Sequence, residues 1–361
     1  MRVSFAGQQS ADGTMPSLAI GPINTAGQAY QWSEAVSREL GISAWSFSGN
    51  RPSANRIVGP AHHRIPHHRL RPGLIRRLWL QGLLRSRTHL LVESMLPLFG
   101  DPRTGLLDDE LHLIEDMGLV VGGVCHGSDV RSPERHMARL GHSYFRLLDD
   151  AARRSLEVQA ARRREALVAS GIPAFVSTPD LTLDVPSAKW LPLVVDSHRW
   201  MGGDPALAGN RPVVLHAPSR RRPSIKGSDY IEPILEDMNR QGLIRYRPLV
   251  GTVPHREMPR LVREADVVVE QILAGSYGVA AVEGMAAGRL VIGYVGEEVR
   301  RAMPEDPPIV DATPGDFLAT MLQVVDDRAE YAMRAARGPG FVSRVHSGRL
   351  SAQVLSEFVG G

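Results

Sequence analysis

Apolar residues recur along this chain with two periods. Short continuous runs of strand length alternate with stretches in which apolar positions return every three or four residues, as on one face of a helix. In the first half the runs are "RVSFA" (2–6), "ISAWSF" (42–47), "HLLVES" (89–94) and "LVVGGVC" (119–125), the pattern of strands buried on both faces of a parallel sheet. Between them "GQAYQWSEAVSREL" (27–40) has helical spacing and Gly41 stops it. A long charged helix is expected over 145–170, ending at Gly171, with two short strands in "PAFVSTPDL" and "AKWLPLVVD" after it. Periodicity then fades in the glycine- and proline-rich "DSHRWMGGDPALAGNR" (196–211), which reads as a linker.

A second series follows the linker. Strand "PVVLHAP" (212–218), a helix from about 228 to 240 and strand "IRYRPLV" (244–250) come first. Next are helix "HREMPRLVREA" (255–265), strand "DVVVE" (266–270), a helix within "ILAGSYGVAAVEGMAAG" and strand "LVIGYV" (290–295). The tail is expected to split at "GPG" (338–340) into two helices, the last near 343–358. Two successive βα series predict an α/β protein with two Rossmann-like, doubly wound parallel-sheet domains. Ligands of such sheets bind beyond the carboxyl ends of the strands, so a cleft between facing domains is the expected site. The expected division is 1–195, 196–340 and a C-terminal helix over 341–361 able to cross back to the first domain.

Composition narrows the class. At 43% hydrophobic and 22% charged over 361 residues, the chain suits a globular protein of two domains. Its best apolar run, "GLVVGGVC" (118–125), is far short of the roughly 18 residues of a membrane span. "MRVSFAGQQSADG" lacks the plan of a signal peptide, and the single cysteine, Cys125, excludes an internal disulfide. Cys125 reads as a buried strand residue, and a cytoplasmic location is expected. Net charge is a modest +3, yet among 42 Lys plus Arg only Lys189 and Lys226 are lysine.

Common nucleotide motifs are missing. No G-x-G-x-x-G follows the first strand, which disfavours a dehydrogenase, and no P-loop occurs, since Lys226 precedes Gly227 rather than following a glycine. Instead "HAPSRRRPSIKGSDY" (216–230) carries Arg220, Arg221, Arg222 and Lys226 at the end of a strand, with Ser228 as expected N-cap and Asp229 in the first turn. Such a loop either binds a diphosphate or is simply solvated. Gly275, Ser276 and Gly278 form a turn that can present backbone N–H groups to an anion at a helix start. Glu283 follows among small apolar residues, where a carboxylate is costly unless hydrogen-bonded. A ribose diol would satisfy it, as would solvent or an arginine.

At this point the residues resemble a known family. "ADVVVEQILAGSYGVAAVEGMAAGRLVIGYV" is similar to the C-terminal signature of GT-B-fold glycosyltransferases of the retaining "group 1" type, roughly E-x-F-G-x-x-x-x-E-A-M-A-x-G-x-P-V. The match runs through Gly278, Glu283, Met285, Ala286, Gly288 and Val291. "GPINTAGQAYQWSEAV" (21–36) resembles the family's first loop, "HGSDVR" (126–131) a strand-end motif, and "FVSTPDL" with "KWLPLVVD" the segment before the domain crossover. The resemblance implies a GT-B fold with its two domains facing a cleft, and a nucleotide-sugar donor as substrate with no further cofactor or metal. The diphosphate would lie on Arg220 or Arg221, Lys226 and the turn of Ser276, Tyr277 and Gly278, with Glu283 on the ribose. His126 would face the donor sugar or leaving group, Asp129 would lie with it, and Asn24 and Gly27 would border the diphosphate or acceptor. One departure stands out: Gly275 occupies the place of the family's first glutamate, which contacts the transferred sugar, and Glu270 lies five residues too early to replace it. The expected reaction is transfer to a hydroxyl of a glycan, glycolipid or secondary metabolite, with retention. The alternatives are an NAD-independent nucleotide-sugar epimerase of the same fold and a catalytically inactive nucleotide-sugar-binding subunit.

Several other features carry two readings each. Residues 56–89 are rich in arginine and histidine, and "LIRRLWLQGLLR" (74–85) is an amphipathic helix. It would meet an anionic membrane from the cytoplasmic side, or pack on the sheet. His62, His63, His67 and His68 lack the acids or cysteine that would complete a metal site, and the basic residues lack the stacking aromatics of a nucleic-acid binder. Asp129 and Arg131 would bind acceptor hydroxyls or cap the next helix, and Gln28 shares the reading of Asn24.

Overall fold

The computed structural model describes residues 15–49, 60–66, 73–218, 224–249 and 253–360. Its first half runs β1 (Ser17–Gly21), α1 (Gln28–Leu40), β2 (Ser43–Ser48), β3 (His63–Arg64), α2 (Leu74–Leu84), β4 (His89–Glu93), α3 (Leu111–Glu115) and β5 (Val120–Cys125). It continues through α4 (Pro133–Arg139), α5 (Asp150–Ala169), β6 (Ala174–Val176) and β7 (Lys189–Trp190). These strands form one parallel sheet in the order β3-β2-β1-β4-β5-β6-β7. The second half runs β8 (Val213–His216), α6 (Ser228–Arg240), β9 (Arg245–Pro248), α7 (Met258–Arg263), β10 (Val267–Val269), α8 (Val279–Ala286) and β11 (Leu290–Gly293). It ends with α9 (Glu297–Ala302), β12 (Ile309–Asp311), α10 (Phe317–Asp326), α11 (Arg328–Ala336), α12 (Gly338–Val345) and α13 (Arg349–Val359). Its parallel sheet has the order β12-β11-β10-β8-β9.

Continuous apolar runs make these strands because both faces of each sheet are covered. Alternate residues of the first sheet enter different cores: Ala19, Leu90, Val92 and Val121 join Leu80 and Leu84 of α2 and Leu167 of α5. Leu18, Ile20, Leu91 and Val124 pack instead with Trp32 and Val36 of α1 and Leu355 and Phe358 of α13. The second sheet buries Val214, Val267, Val269, Leu290 and Ile292 with Ile231 and Leu235 of α6 and Phe317 and Met321 of α10. Each fully buried side chain of this size contributes about 1.5–3 kcal/mol, so burial dominates the stability of both sheets.

By internal contacts the chain forms two units, one of residues 1–131, 158–194 and 348–361 and one of 132–157 and 195–347. Residues 132–157, read from sequence as part of the first domain, therefore cluster with the second sheet. His136 explains why: its Nε2–H donates to the Ala274 carbonyl at 3.0 Å, while Tyr144 N donates to Leu273 O at 3.3 Å.

Several local expectations change. The strand expected at 2–6 lies outside the described residues, and the first described strand is β1. The long charged helix starts at Asp150, after a 3-10 turn at Tyr144–Leu147, because Asp149 Oδ1 accepts from Ala152 N there. A helix boundary falls at "GPG", where α11 ends at Ala336 and α12 opens at Gly338 with the proline in its first turn, and a second break follows at Gly348 with φ +98°. No described helix is long and apolar enough to cross a membrane.

Candidate functional site

The carboxyl ends of β8 and β10 carry a connected polar group. His216 ends β8 and is fully buried. Its Nδ1–H donates to Val269 O at 2.9 Å, which leaves Nε2 to accept from Ser228 Oγ at 2.9 Å. Burial, and then the nearby Lys226 charge, push His216 down to about 4, so the ring is neutral and this tautomer is fixed. Ser228 N donates to Ser224 Oγ at 3.2 Å, which ties the loop to the start of α6. Ser228 is not the N-cap. Gly227 is, at φ +78°, where a Cβ would sit 2.7 Å from Ile272 Cγ1. This packing leaves Lys226 next to β10, with Nζ 3.3 Å from Glu270 Oε1. Arg220, Arg221 and Arg222 lie outside the described residues.

From Glu270 the chain turns into α8. Glu270 is 3% exposed, and its Oε2 has no hydrogen-bond partner among the described residues. Gln271 Nε2 donates to Ser276 O at 2.6 Å and Gly296 N to Gly275 O at 3.0 Å, which pins the turn. Gly275 has φ +65°, and a Cβ there would run into Leu140 Cδ1. Among the described residues no hydrogen bond uses the N–H groups of Ser276, Tyr277 or Gly278, so three successive donors stand at the start of α8. The Tyr277 hydroxyl is committed to His346 Nε2 at 3.0 Å, so its side chain serves packing and only its main chain is available to a ligand.

Glu283 lies in the middle of α8, 8% exposed. The helix can bury it because its neighbours are small: a Cβ on Gly284 would lie 3.0 Å from Val291 Cγ2 and 3.3 Å from Val268 Cβ. His255 Nε2 is 3.2 Å from Glu283 Oε1, and no hydrogen bond to Oε2 is found among the described residues. Burial pushes the carboxyl above its usual range, offset in part by the hydrogen bond and charge of His255 and by the charge of Lys226.

In the first unit the sequence-derived candidates converge on a residue that no motif signalled, Glu93. This fully buried carboxylate, at the end of β4, accepts from the main-chain N–H groups of Ile23 at 2.8 Å, Asn24 at 2.6 Å and Thr25 at 3.0 Å. His126 Nε2 lies 3.2 Å from Glu93 Oε1, its ring stacked on Trp32 at 5.8 Å. Burial drives Glu93 up, but the hydrogen bond and charge of His126, with the N–H groups of Asn24 and Thr25, outweigh it and hold the carboxyl below its usual range.

The remaining first-unit candidates are internally bonded. Asn24, at φ 60°, donates from Nδ2 to Pro60 O at 2.6 Å and accepts from Tyr30 N at 3.1 Å, while Gln28 pairs with both polar groups of Val194. Gly27, at φ +78°, opens α1. Asp129 Oδ2 accepts from Ser94 Oγ at 2.6 Å and His126 N at 2.8 Å, so it caps its own turn, and Arg131 grips Asp180 at 2.6 Å. The side chains of Asn24, Gln28, Asp129 and Arg131 thus hold loops in place. His62 bonds Ser46 and Glu34, His67 and His68 lie outside the described residues, and among the described residues no cluster of three ligating side chains could hold a metal. Helix α2 packs on its sheet through Leu80 and Leu84, while Leu74, Ile75 and Leu78 point to solvent.

No family model matches the chain, and no curated protein matches it in sequence. Solved structures do match over nearly its whole length. HepE of Anabaena, in complex with UDP and glucose, aligns with a TM-score of 0.53 at 14% identity over 96% of this chain and 100% of its own. Sucrose-phosphate synthase from Thermosynechococcus elongatus aligns with a TM-score of 0.58 at 14% identity over 95% and 98%. A glycosyltransferase from Rickettsia africae gives 0.58 at 12% identity over 96% and 98%. The fold is GT-B. In this GT-B chain the second unit brings Lys226, Glu283 and the turn of Ser276–Gly278 to one end of the sheet. Glu93, His216 and His255 were missed because their partners lie 12 to 70 residues away in sequence, beyond any helical or strand period. Only the position of His216 at the end of "VVLH" gave a signal.

Proposed function

We propose that this GT-B chain moves a sugar from a nucleotide-diphosphate donor to an acceptor hydroxyl, with retention at the anomeric carbon. The diphosphate lies on Lys226, on the loop arginines Arg220 and Arg221, and on the N–H groups of Ser276, Tyr277 and Gly278. Glu283 accepts the two ribose hydroxyls. One observation carries the reading: a carboxylate held out of water in the middle of α8, with only one oxygen bonded, just beyond three unbonded N–H groups. An isolated buried carboxylate is unfavourable, and a diol supplies the donors it lacks. The structural likeness to HepE, solved with UDP and glucose bound, fits the same donor class. Retention draws its support from the likeness of residues 278–291 to the retaining signature.

Incubation with UDP-glucose, ADP-glucose and GDP-mannose tests the proposal. At least one donor is expected to release its nucleoside diphosphate slowly without acceptor, because water substitutes for the acceptor hydroxyl. Complete stability of every donor, or its conversion to a stereoisomeric sugar nucleotide, would overturn sugar transfer.

A further inference from the structure

The donor contacts proposed so far leave Glu270 unused, although it is more deeply buried than Glu283. It follows β10 directly, and Lys226 Nζ lies 3.3 Å from one of its oxygens. Its other oxygen has no partner among the described residues, and neither has Ser276 Oγ, which belongs to a residue 1% exposed. A buried carboxylate bonded through one oxygen only is costly, so a ligand with donor groups would be stabilising there. Beside the oxygen that faces Lys226 there is room: a Cβ on Gly278 would find only Glu270 Oε1 within 4 Å, at 3.9 Å.

Charge selects the ligand group. Lys226 and the turn N–H groups attract an anion, whereas the carboxylate repels one and accepts only from O–H or N–H. Phosphate therefore belongs over the turn and Lys226, and the neighbouring neutral part of the donor belongs on Glu270. The turn itself offers no carboxylate. At Gly275 the positive φ disfavours one, and the Leu140 side chain would have to move to admit it.

We infer that Glu270, assisted by Ser276, binds hydroxyls of the donor's sugar; the inference rests on the nucleotide-sugar reading.

Calorimetry of wild type and Glu270→Gln with UDP, ADP, GDP, UDP-glucose, ADP-glucose and GDP-mannose tests it. Glutamine keeps the shape and removes the charge. For the base that binds, the variant is expected to hold or gain affinity for the diphosphate, because a repelling charge is gone, and to lose at least tenfold for the sugar nucleotide. Ser276→Ala is expected to shift in the same sense by a smaller factor. Equal losses for both ligands would reduce Glu270 to an anchor for Lys226, and no change in either would remove it from the site. Failure of wild type to bind any of the six would instead contradict the nucleotide-sugar reading itself, and this inference with it.

Discussion

Glu93 and Glu283 are both buried glutamates, and their surroundings give them opposite roles. Glu93 is saturated by three N–H groups and His126, so it holds the loop at 23–25 in place. Its lowered titration means that its stabilisation is full above the unfolded carboxyl value of about 4.3 and is lost as pH falls through the folded value. Glu93→Gln is expected to cost about 2–3 kcal/mol in urea unfolding at pH 7, since an amide leaves one N–H facing another donor. Glu283 has the reverse sign. Its raised titration means that its charge opposes folding above the folded value, and that this cost disappears as pH falls towards about 4.3. Glu283→Gln is therefore expected to melt above wild type at pH 7.5, with the gap closing towards pH 5. The sequence showed Glu283 as an anomaly because its neighbours along the helix are small and apolar. It could not show Glu93, whose donors are main-chain atoms that any residue supplies.

At the scale of elements, α8 and its entry turn carry most of the proposed donor contacts. The small residues of "VAAVEGMA" were legible as a packing surface, and the structure adds what they pack against: Val268 and Val291 below Gly284, and the Met285 carbonyl beside Gly338 of α12. Gly275 shows where local reading stops. Its turn chemistry was legible, but the Leu140 side chain that fills the adjacent space comes from a segment 135 residues earlier. Gly275→Glu is expected to destabilise by roughly 2–4 kcal/mol, from the left-handed backbone and the clash together. Adding Leu140→Ala should recover the clash but not the backbone part, which a double-mutant cycle by urea unfolding resolves. A neutral Gly275→Glu would show that the turn rearranges freely and that its glycine is incidental.

At the scale of the whole molecule, two successive βα series sufficed to predict two parallel sheets, because runs buried on both faces differ in period from the helices between them. The allocation of 132–157 to the second unit was not legible, since hydrogen bonds such as His136 to Ala274 O leave no periodic trace. The tail was legible as a helix; its place in the first unit rests on Leu355, Phe358 and Val359 packing with Leu18 and Trp32. Deleting residues 349–361 removes several buried side chains worth about 2–5 kcal/mol each, comparable to the stability of a domain. Hydrogen exchange should then lose protection along β1, β4 and α1. Full protection would show that α13 is dispensable. The central claim, that the end of the second sheet holds a nucleotide diphosphate through Glu283, is met most directly by calorimetric titration of wild type and Glu283→Ala with UDP, ADP and GDP. The account predicts that wild type binds at least one of them and that the variant loses roughly tenfold or more, as expected for two hydrogen bonds to a charged group. Equal affinities in the two proteins, or no binding by either, would contradict it.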